Sequence, residues 1–489
     1  MKTSFLLRTA PVARSMNPLV RRAGLLPAGL GCGLLCLALT QNAWAQYRGP
    51  ISETAPLFAL DTPTSYANTA FTPPVESMVL PWERLIKRLN RTGIGIVADY
   101  TSESAMVLNA GHAGDAGYAH QIGVELDLDW SRLVGWQGFI THAVIVNRAG
   151  HNLASDLGER SLNGFQEIYG GGGNVGVHLV YVYGTQDLLH NRMQIALGKM
   201  PVNIDFANSP LFCTFMNKSN CGIPKSLTRT AAGYGTYPGS TWGTRVRYWP
   251  LHGIYVQSGL YGVNPYLNSN QYDRTGFRMG TELYTGVYVP TEIGLIPSFG
   301  KNQLVGHYKF GVAYDSSNYR DLYYDSNMNP AAASGQPYRW TNGKTQIWLQ
   351  GDQMLIRNGH GPLQGLYALA GATKSEGQNS VYDWQVYAGI VDRGIIPSRP
   401  KDTFGLEWSE TFASRQLVAS QWIRYRRGLP LPGSATYPQS HLMTFEATYS
   451  IHAFRGFSIQ PDYQHIWRTN LQADKPQVDA IGFKIHAVL

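Results

Sequence analysis

Charge is scarce in this sequence of 489 residues: Asp, Glu, Lys and Arg together make up 15%, against about 25% in an ordinary soluble domain. Cysteine is scarcer still, with four residues, and beyond position 45 no apolar run approaches 18 residues. The first shortage argues against a typical cytosolic enzyme, the second against a thiol-rich metal domain, and the third excludes a membrane-spanning helix in the body of the chain. The formal net charge of +8 is not a basic footprint either. Five of the 40 basic residues and none of the acidic ones (Lys2, Arg8, Arg14, Arg21, Arg22) fall in the first 45 positions, leaving 35 against 32. Such a balance argues against a nucleic-acid-binding body. What is plentiful is glycine, with 53 residues, and aromatic rings, at 12%; the apolar content of 44% rules out disorder.

The N-terminus reads as an export signal spanning residues 1–45. A basic start is followed by an apolar stretch over about 23–40 and then by Ala43-Trp44-Ala45, whose small residues suit signal peptidase, with Gln46 as the mature start. Met16, followed by Arg21-Arg22, offers a second start of more ordinary signal length. A retained membrane anchor is the alternative, disfavoured by the short stretch and by Pro27 within it. Paired arginines also invite a twin-arginine reading, which the flanking residues do not support. Cys32 and Cys36 leave with the signal, so Cys213 and Cys221 remain. In an exported chain, this pair with seven residues between them reads as one short-loop disulfide.

Residues 46–79 form an arm rich in Pro, Thr, Ser and Ala. Apolar Leu85, Ile86 and Leu89 among basic residues then predict a short amphipathic helix over about 80–91, either packed on the surface or acting as a plug or periplasmic contact. From Gly93 to Leu489 the pattern has period two. Ile122, Val124, Leu126, Leu128 and Trp130 alternate with Gln121, Glu125, Asp127 and Asp129; comparable runs cover 242–248, 346–355, 404–409 and 481–489. Alternation alone fits two homes: a secreted sandwich with its apolar face inward, or an outer-membrane barrel with its apolar face to lipid and a polar lumen. Aromatics at strand ends (Trp130, Trp242, Tyr248, Trp249, Tyr181, Tyr183), ionised residues of both signs on the opposite face and the export signal favour the barrel. At about 25 residues per strand and connection, residues 93–489 predict about 16 antiparallel strands, wide enough for an aqueous channel.

Enzyme signatures are weak. Gly171, Gly173 and Gly176 spell G-x-G-x-x-G, but Val175, Val177, Leu179, Tyr181 and Tyr183 continue at period two, a strand where a dinucleotide site needs a helix. The 13 histidines have no ligand-spaced partners, so no metal or other cofactor is expected. A secreted all-β glycoside hydrolase is the main enzymatic alternative. Glu407 and Glu410, however, lie three apart in one strand and face opposite sides, so they cannot readily flank one bond. A plugged, adhesin-like barrel is a third reading.

The ordered motifs Gly135-Trp136-Gln137-Gly138-Phe139, Asn147-Arg148-Ala149-Gly150-His151-Asn152, Gly198-Lys199-Met200-Pro201, Trp242-Gly243-Thr244-Arg245-Val246-Arg247 and Ile459-Gln460-Pro461-Asp462-Tyr463-Gln464-His465-Ile466 resemble the OprB-like family of carbohydrate-selective outer-membrane porins over roughly 93–489. The resemblance implies a 16-stranded barrel in the bacterial outer membrane passing glucose-type sugars passively into the periplasm, with no catalysis. It also implies contact with lipid and lipopolysaccharide, insertion by the barrel-assembly machinery, and a monomer or trimer; nucleic acid is not a partner. It agrees with a Cys213–Cys221 disulfide stiffening a loop that enters or caps the pore. Two departures are visible: Leu489 stands where the family usually ends in an aromatic residue, and the arm before Gly93 matches poorly.

A sugar offers an apolar CH face and a rim of hydroxyls, which aromatic rings and forked arginines suit respectively. Strand parity turns Glu125, Asp127, Asp129, Arg245 and Arg247 toward the lumen, together with Trp348. Reading 422–426 as a strand adds Arg424 and Arg426. These eight residues are the expected pore lining, with the arginines opposite the acids. A one-residue slip in register would exchange the two faces.

Overall fold

The computed structural model describes residues 76–489 apart from 159–163, 169–173, 210, 222, 268, 270 and 360–363. The expected signal peptide, most of the arm, Gly171 and Gly173 lie outside the described residues. Sixteen strands follow one another as a meander. The first eight are β1 (Ile94–Val107), β2 (Ala116–Asp129), β3 (Phe139–Gly150), β4 (Val175–Leu188), β5 (Met193–Met200), β6 (Thr241–Leu251), β7 (Ile254–Val263) and β8 (Gly286–Leu295). The second eight are β9 (Leu304–Asp325), β10 (Tyr338–Ile356), β11 (Gly365–Ser375), β12 (Tyr382–Arg393), β13 (Thr403–Ala413), β14 (His441–Phe454), β15 (Phe457–Trp467) and β16 (Val478–Val488). A two-residue piece, Ser298–Phe299, pairs with the start of β9.

Each strand pairs antiparallel with its neighbours, and β16 pairs back onto β1 from Asp99↔Val488 to Val107↔Ala480. Closure removes every sheet edge, which lets the backbone cross lipid with its hydrogen bonds satisfied. The longest connections all lie at one end. Those at 130–138, 189–192, 252–253, 296–303, 357–364, 394–402 and 455–456 are short; those at 151–174, 201–240, 264–285 and 414–440 are long. In outer-membrane barrels the short turns are periplasmic and the long loops extracellular.

The two faces settle which side of each strand meets lipid. On β2, Ile122, Val124 and Leu126 are exposed while Gln121, Glu125, Asp127 and Asp129 are buried. The same holds on β6 (Val246 out, Arg245 and Arg247 in) and on β10 (Ile347 and Leu349 out, Gln346, Trp348 and Gln350 in). A soluble sandwich would bury the opposite set. Trp242 and Tyr248 point outward, as interfacial aromatics should.

Two sequence expectations fail locally. Tyr181 and Tyr183 are buried inside the barrel, not in a girdle. The β3–β4 register runs from Val144↔Tyr181 to Ile145↔Leu179, so Val180 is an extra residue on β4 and reverses the parity on either side of it. Arg424 and Arg426 do not share a strand face, because Arg415–Arg426 is a helix in the extracellular loop 414–440. Ser414 caps it by accepting from the Leu417 N–H, and on a helix residues two apart point in nearly opposite directions. Arg424 donates to the Pro430 carbonyl at 2.6 Å and Arg426 lies over the Trp422 ring; neither belongs to the barrel wall.

The expected N-terminal helix forms at Leu80–Thr92 and ends at Gly93, whose φ of 97° is the left-handed geometry that favours glycine. It buries Ile86 and sits on the periplasmic rim. Met78 donates to the Val488 carbonyl at 2.9 Å, and Glu83 pairs with Arg455 in the β14–β15 turn.

A charge placed on the lipid face tests the orientation. Val124→Arg should cost about 2–4 kcal/mol if the site lies near the bilayer midplane. The expected sign is a lower yield of heat-modifiable, folded barrel in a gel-shift refolding assay; undiminished yield would contradict the outward assignment.

Candidate functional site

The 40-residue connection between β5 and β6, residues 201–240, turns back into the barrel. A backbone that leaves water must find new hydrogen-bond partners, and here the inward residues of the wall supply them. Three wall carboxylates receive its N–H groups. Glu292 on β8 accepts from Ala207 at 3.0 Å, Glu446 on β14 from Met216 and Asn217 at 2.5 and 3.0 Å, and Asp315 on β9 from Gly233 at 2.9 Å. Amides and ammoniums of the wall receive its carbonyls. Gln257 donates to Asp205 O at 2.7 Å, Lys309 and Gln350 to Asn208 O at 2.6 and 2.9 Å, Gln346 to Leu227 O at 2.8 Å, and Gln460 to Thr214 O at 2.8 Å.

Beneath the first part of this inner loop lies an apolar core inside the barrel. Val202, Ile204 and Phe206 of the loop pack with Tyr181, Tyr183, Tyr261, Tyr288 and Trp348 of the wall. This core explains what became of three predicted pore residues. Arg245 and Arg247 do face inward, but fully buried beneath the loop, where both reach the same Asp205 oxygen, at 3.1 and 3.0 Å. Trp348 faces inward and is fully buried as well, donating Nε1–H to Glu292 at 2.8 Å. Glu292 also accepts from Tyr255 Oη and Gln257 Nε2, both at 2.9 Å, so four donors of the loop and wall converge on one carboxylate.

The three predicted acids on β2 also face inward and are engaged. Asp127 is fully buried against His142 Nδ1 at 2.7 Å, and Asp129 caps the short periplasmic helix Trp130–Leu133 through Ser131 N–H and pairs with Arg132 at 3.1 Å. Glu125 is buried. Parity therefore places six of the eight residues on the inner face, and the loop covers the two arginines and the tryptophan. Cys213 and Cys221 are brought together in the inner loop as free thiols, with Sγ atoms 3.1 Å apart.

A second set of residues gathers where another inward segment meets the inner loop. The chain at 164–168 also enters the barrel: Ile168 N–H donates to Glu103 at 2.9 Å, and Gln464 reaches Phe165 O at 3.1 Å. Here Glu167 pairs with Lys225 of the short loop helix Lys225–Thr230 at 3.1 Å and approaches Arg148 of β3 at 3.9 Å. Lys218 of the inner loop is fixed at its root, with its N–H on Gly164 O at 2.8 Å. A Cβ on Gly164 would stand 3.1 Å from the lysine stem, so glycine allows the two segments to meet. Burial pushes the Lys218 ammonium down to about 7; the charges of Arg229, Lys225 and Arg148 push the same way and Glu167 opposes them.

None of Asp205, Glu292, Glu446, Asp315, Lys218 or Arg229 stood out in the sequence. Parity could have placed Glu292, Glu446 and Asp315 on the inner face. Nothing local marks Asp205, Lys218 or Arg229, because their importance comes from a loop folding across the barrel.

Asp205→Asn should strip the two buried arginines of their carboxylate, weakening the loop's hold by about 3–5 kcal/mol. The expected result is a larger and noisier single-channel conductance in planar bilayers. Unaltered conductance would show that this ion pair does not hold the loop.

Comparison with known proteins places these features. A carbohydrate-selective porin family, OprB, matches residues 113–489. Porin B of Pseudomonas aeruginosa is 25% identical over 433 residues, covering 87% of this chain and 94% of that one. The putative porin QuiX of Acinetobacter baylyi is 22% identical over 397 residues, covering 79% and 87%. The high-pH structure of Pseudomonas putida OprB superposes with a TM-score of 0.78 at 24% identity, covering 86% of this chain and all of that one, and supports the fold.

Proposed function

The chain belongs to the OprB family of carbohydrate-selective porins and is a sugar channel of the bacterial outer membrane; from that premise we propose that its inner loop sets which sugars pass, favouring glucose-type monosaccharides. The observation that carries this reading is the fixed attachment of residues 201–240 to the wall on β8, β9 and β14. A loop held on opposite sides narrows the lumen to one shape and keeps it there. Size is then sieved by the opening, and affinity comes from polar groups that bind a hydroxyl weakly enough to release it.

On this reading Arg245, Arg247 and Trp348 are positioning residues: they fix Asp205 and Glu292, which hold the loop. No chemistry is required, since transport runs down a concentration gradient, and the two acids Glu407 and Glu410 have no catalytic part. Glu407 is occupied instead by Asn220 of the inner loop. Cys213 and Cys221 close to a disulfide in the oxidising periplasm, supported by the adjacency of their sulfur atoms. Protein taken from membranes without reductant should then resist alkylation at both positions by mass spectrometry; two alkylated thiols would refute the bond.

Liposome swelling tests the main reading. Glucose should enter several-fold faster than sucrose and faster than an uncharged solute of glucose size. Rates ordered by size alone would leave a general pore, and no entry through folded, inserted protein would refute the channel.

A further inference from the structure

Most charges inside this barrel are matched. Arg245 and Arg247 share Asp205, Lys225 has Glu167, and Lys484 has Glu103. Lys218 and Arg229 are not: among the described residues neither side chain makes a hydrogen bond or an ion pair. Both sit in the inner loop, Lys218 half-buried and Arg229 exposed. Beside them Arg148 spends Nε on Gln121 at 2.7 Å and leaves Nη1 without a partner in a buried position. The charged groups that bear most on Lys218 are Arg229 and Lys225 from the loop helix, Arg148 from β3 and Glu167 from the 164–168 segment: three cations against one acid, and that acid already holds Lys225.

Holding these cations against the single acid Glu167, which Lys225 and Arg148 already share, is unfavourable, so the cluster has room for a further anion. Resting on the sugar-channel reading, we infer that Lys218, Arg229 and Arg148 form a transient site for the carboxylate of a sugar acid, so that this channel passes uronic or aldonic acids in preference to neutral sugars. A carboxylate adds one charge to a monosaccharide with almost no bulk, which suits a lumen already narrowed by the loop. Arginine and lysine on opposite segments can hold the carboxylate while wall amides meet the hydroxyls. The site also accounts for the spacing of charge, since a fully paired cluster would offer an anion nothing.

The test is counterflow of labelled glucuronate and labelled glucose into proteoliposomes. At pH 6 the wild type should admit glucuronate about tenfold faster than glucose, a ratio within the range that focused charge gives to encounter rates. Lys218→Met with Arg229→Gln should bring the ratio near one. Lys218→Arg separates charge from packing: it should keep the preference and hold it at pH 8, where the wild type should lose part of it as Lys218 gives up its proton. Glucose entering as fast as glucuronate in the wild type would overturn the inference and leave the sugar channel standing. Entry of neither would overturn the channel reading itself.

Discussion

A peptide group that is buried inside the barrel must find a hydrogen-bond partner, in its own loop or in the wall, and much of the interior follows from that requirement. Water satisfies a loop on the outside of a protein. Within a narrowed lumen the inner loop instead takes its partners from strand residues, carboxylates for its N–H groups and amides or ammoniums for its carbonyls. Glu292 shows the economy of the arrangement: one carboxylate takes Ala207, Trp348, Tyr255 and Gln257, and so joins loop, ring and two neighbouring strands. The many Gln, Glu, Asp and Lys residues on inward strand positions serve as a dry substitute for solvent.

The barrel was legible in the sequence because period-two alternation is a property of each strand alone. The apolar set Ile122, Val124 and Leu126 fixes the face of β2 without reference to any other strand, and aromatic strand ends such as Trp242 and Tyr248 tell which way such a face turns. Parity fails where geometry is not local. Val180 adds one residue to β4 and sends Tyr181 and Tyr183 inward, and no sequence rule marks the bulge. The stretch Trp422-Ile423-Arg424-Tyr425-Arg426 alternates as a strand would, yet Ser414 caps a helix there. Five alternating residues do not decide between the two.

The site was legible only in part, for a similar reason. Arg245 and Arg247 were found as inward cations, which is correct, but their partner Asp205 lies 40 and 42 positions earlier in a loop with no period of its own. A paired and buried arginine and a free one look the same in sequence. The distinction matters, because a cation neutralised under the loop organises structure, while Lys218 and Arg229 have no ion-pair partner among the described residues.

The anchors of the inner loop also say something about how the molecule must come together. Met216 is bound by Glu446, 230 positions further along the chain, and Asn217 by Gln464, 247 positions further. Until β14 and β15 stand in the growing barrel, the stretch Thr214–Asn217 lacks the wall groups that hold it. That stretch of the inner loop therefore takes its place only when the wall is almost complete, and a chain cut short before those strands would leave it without a seat.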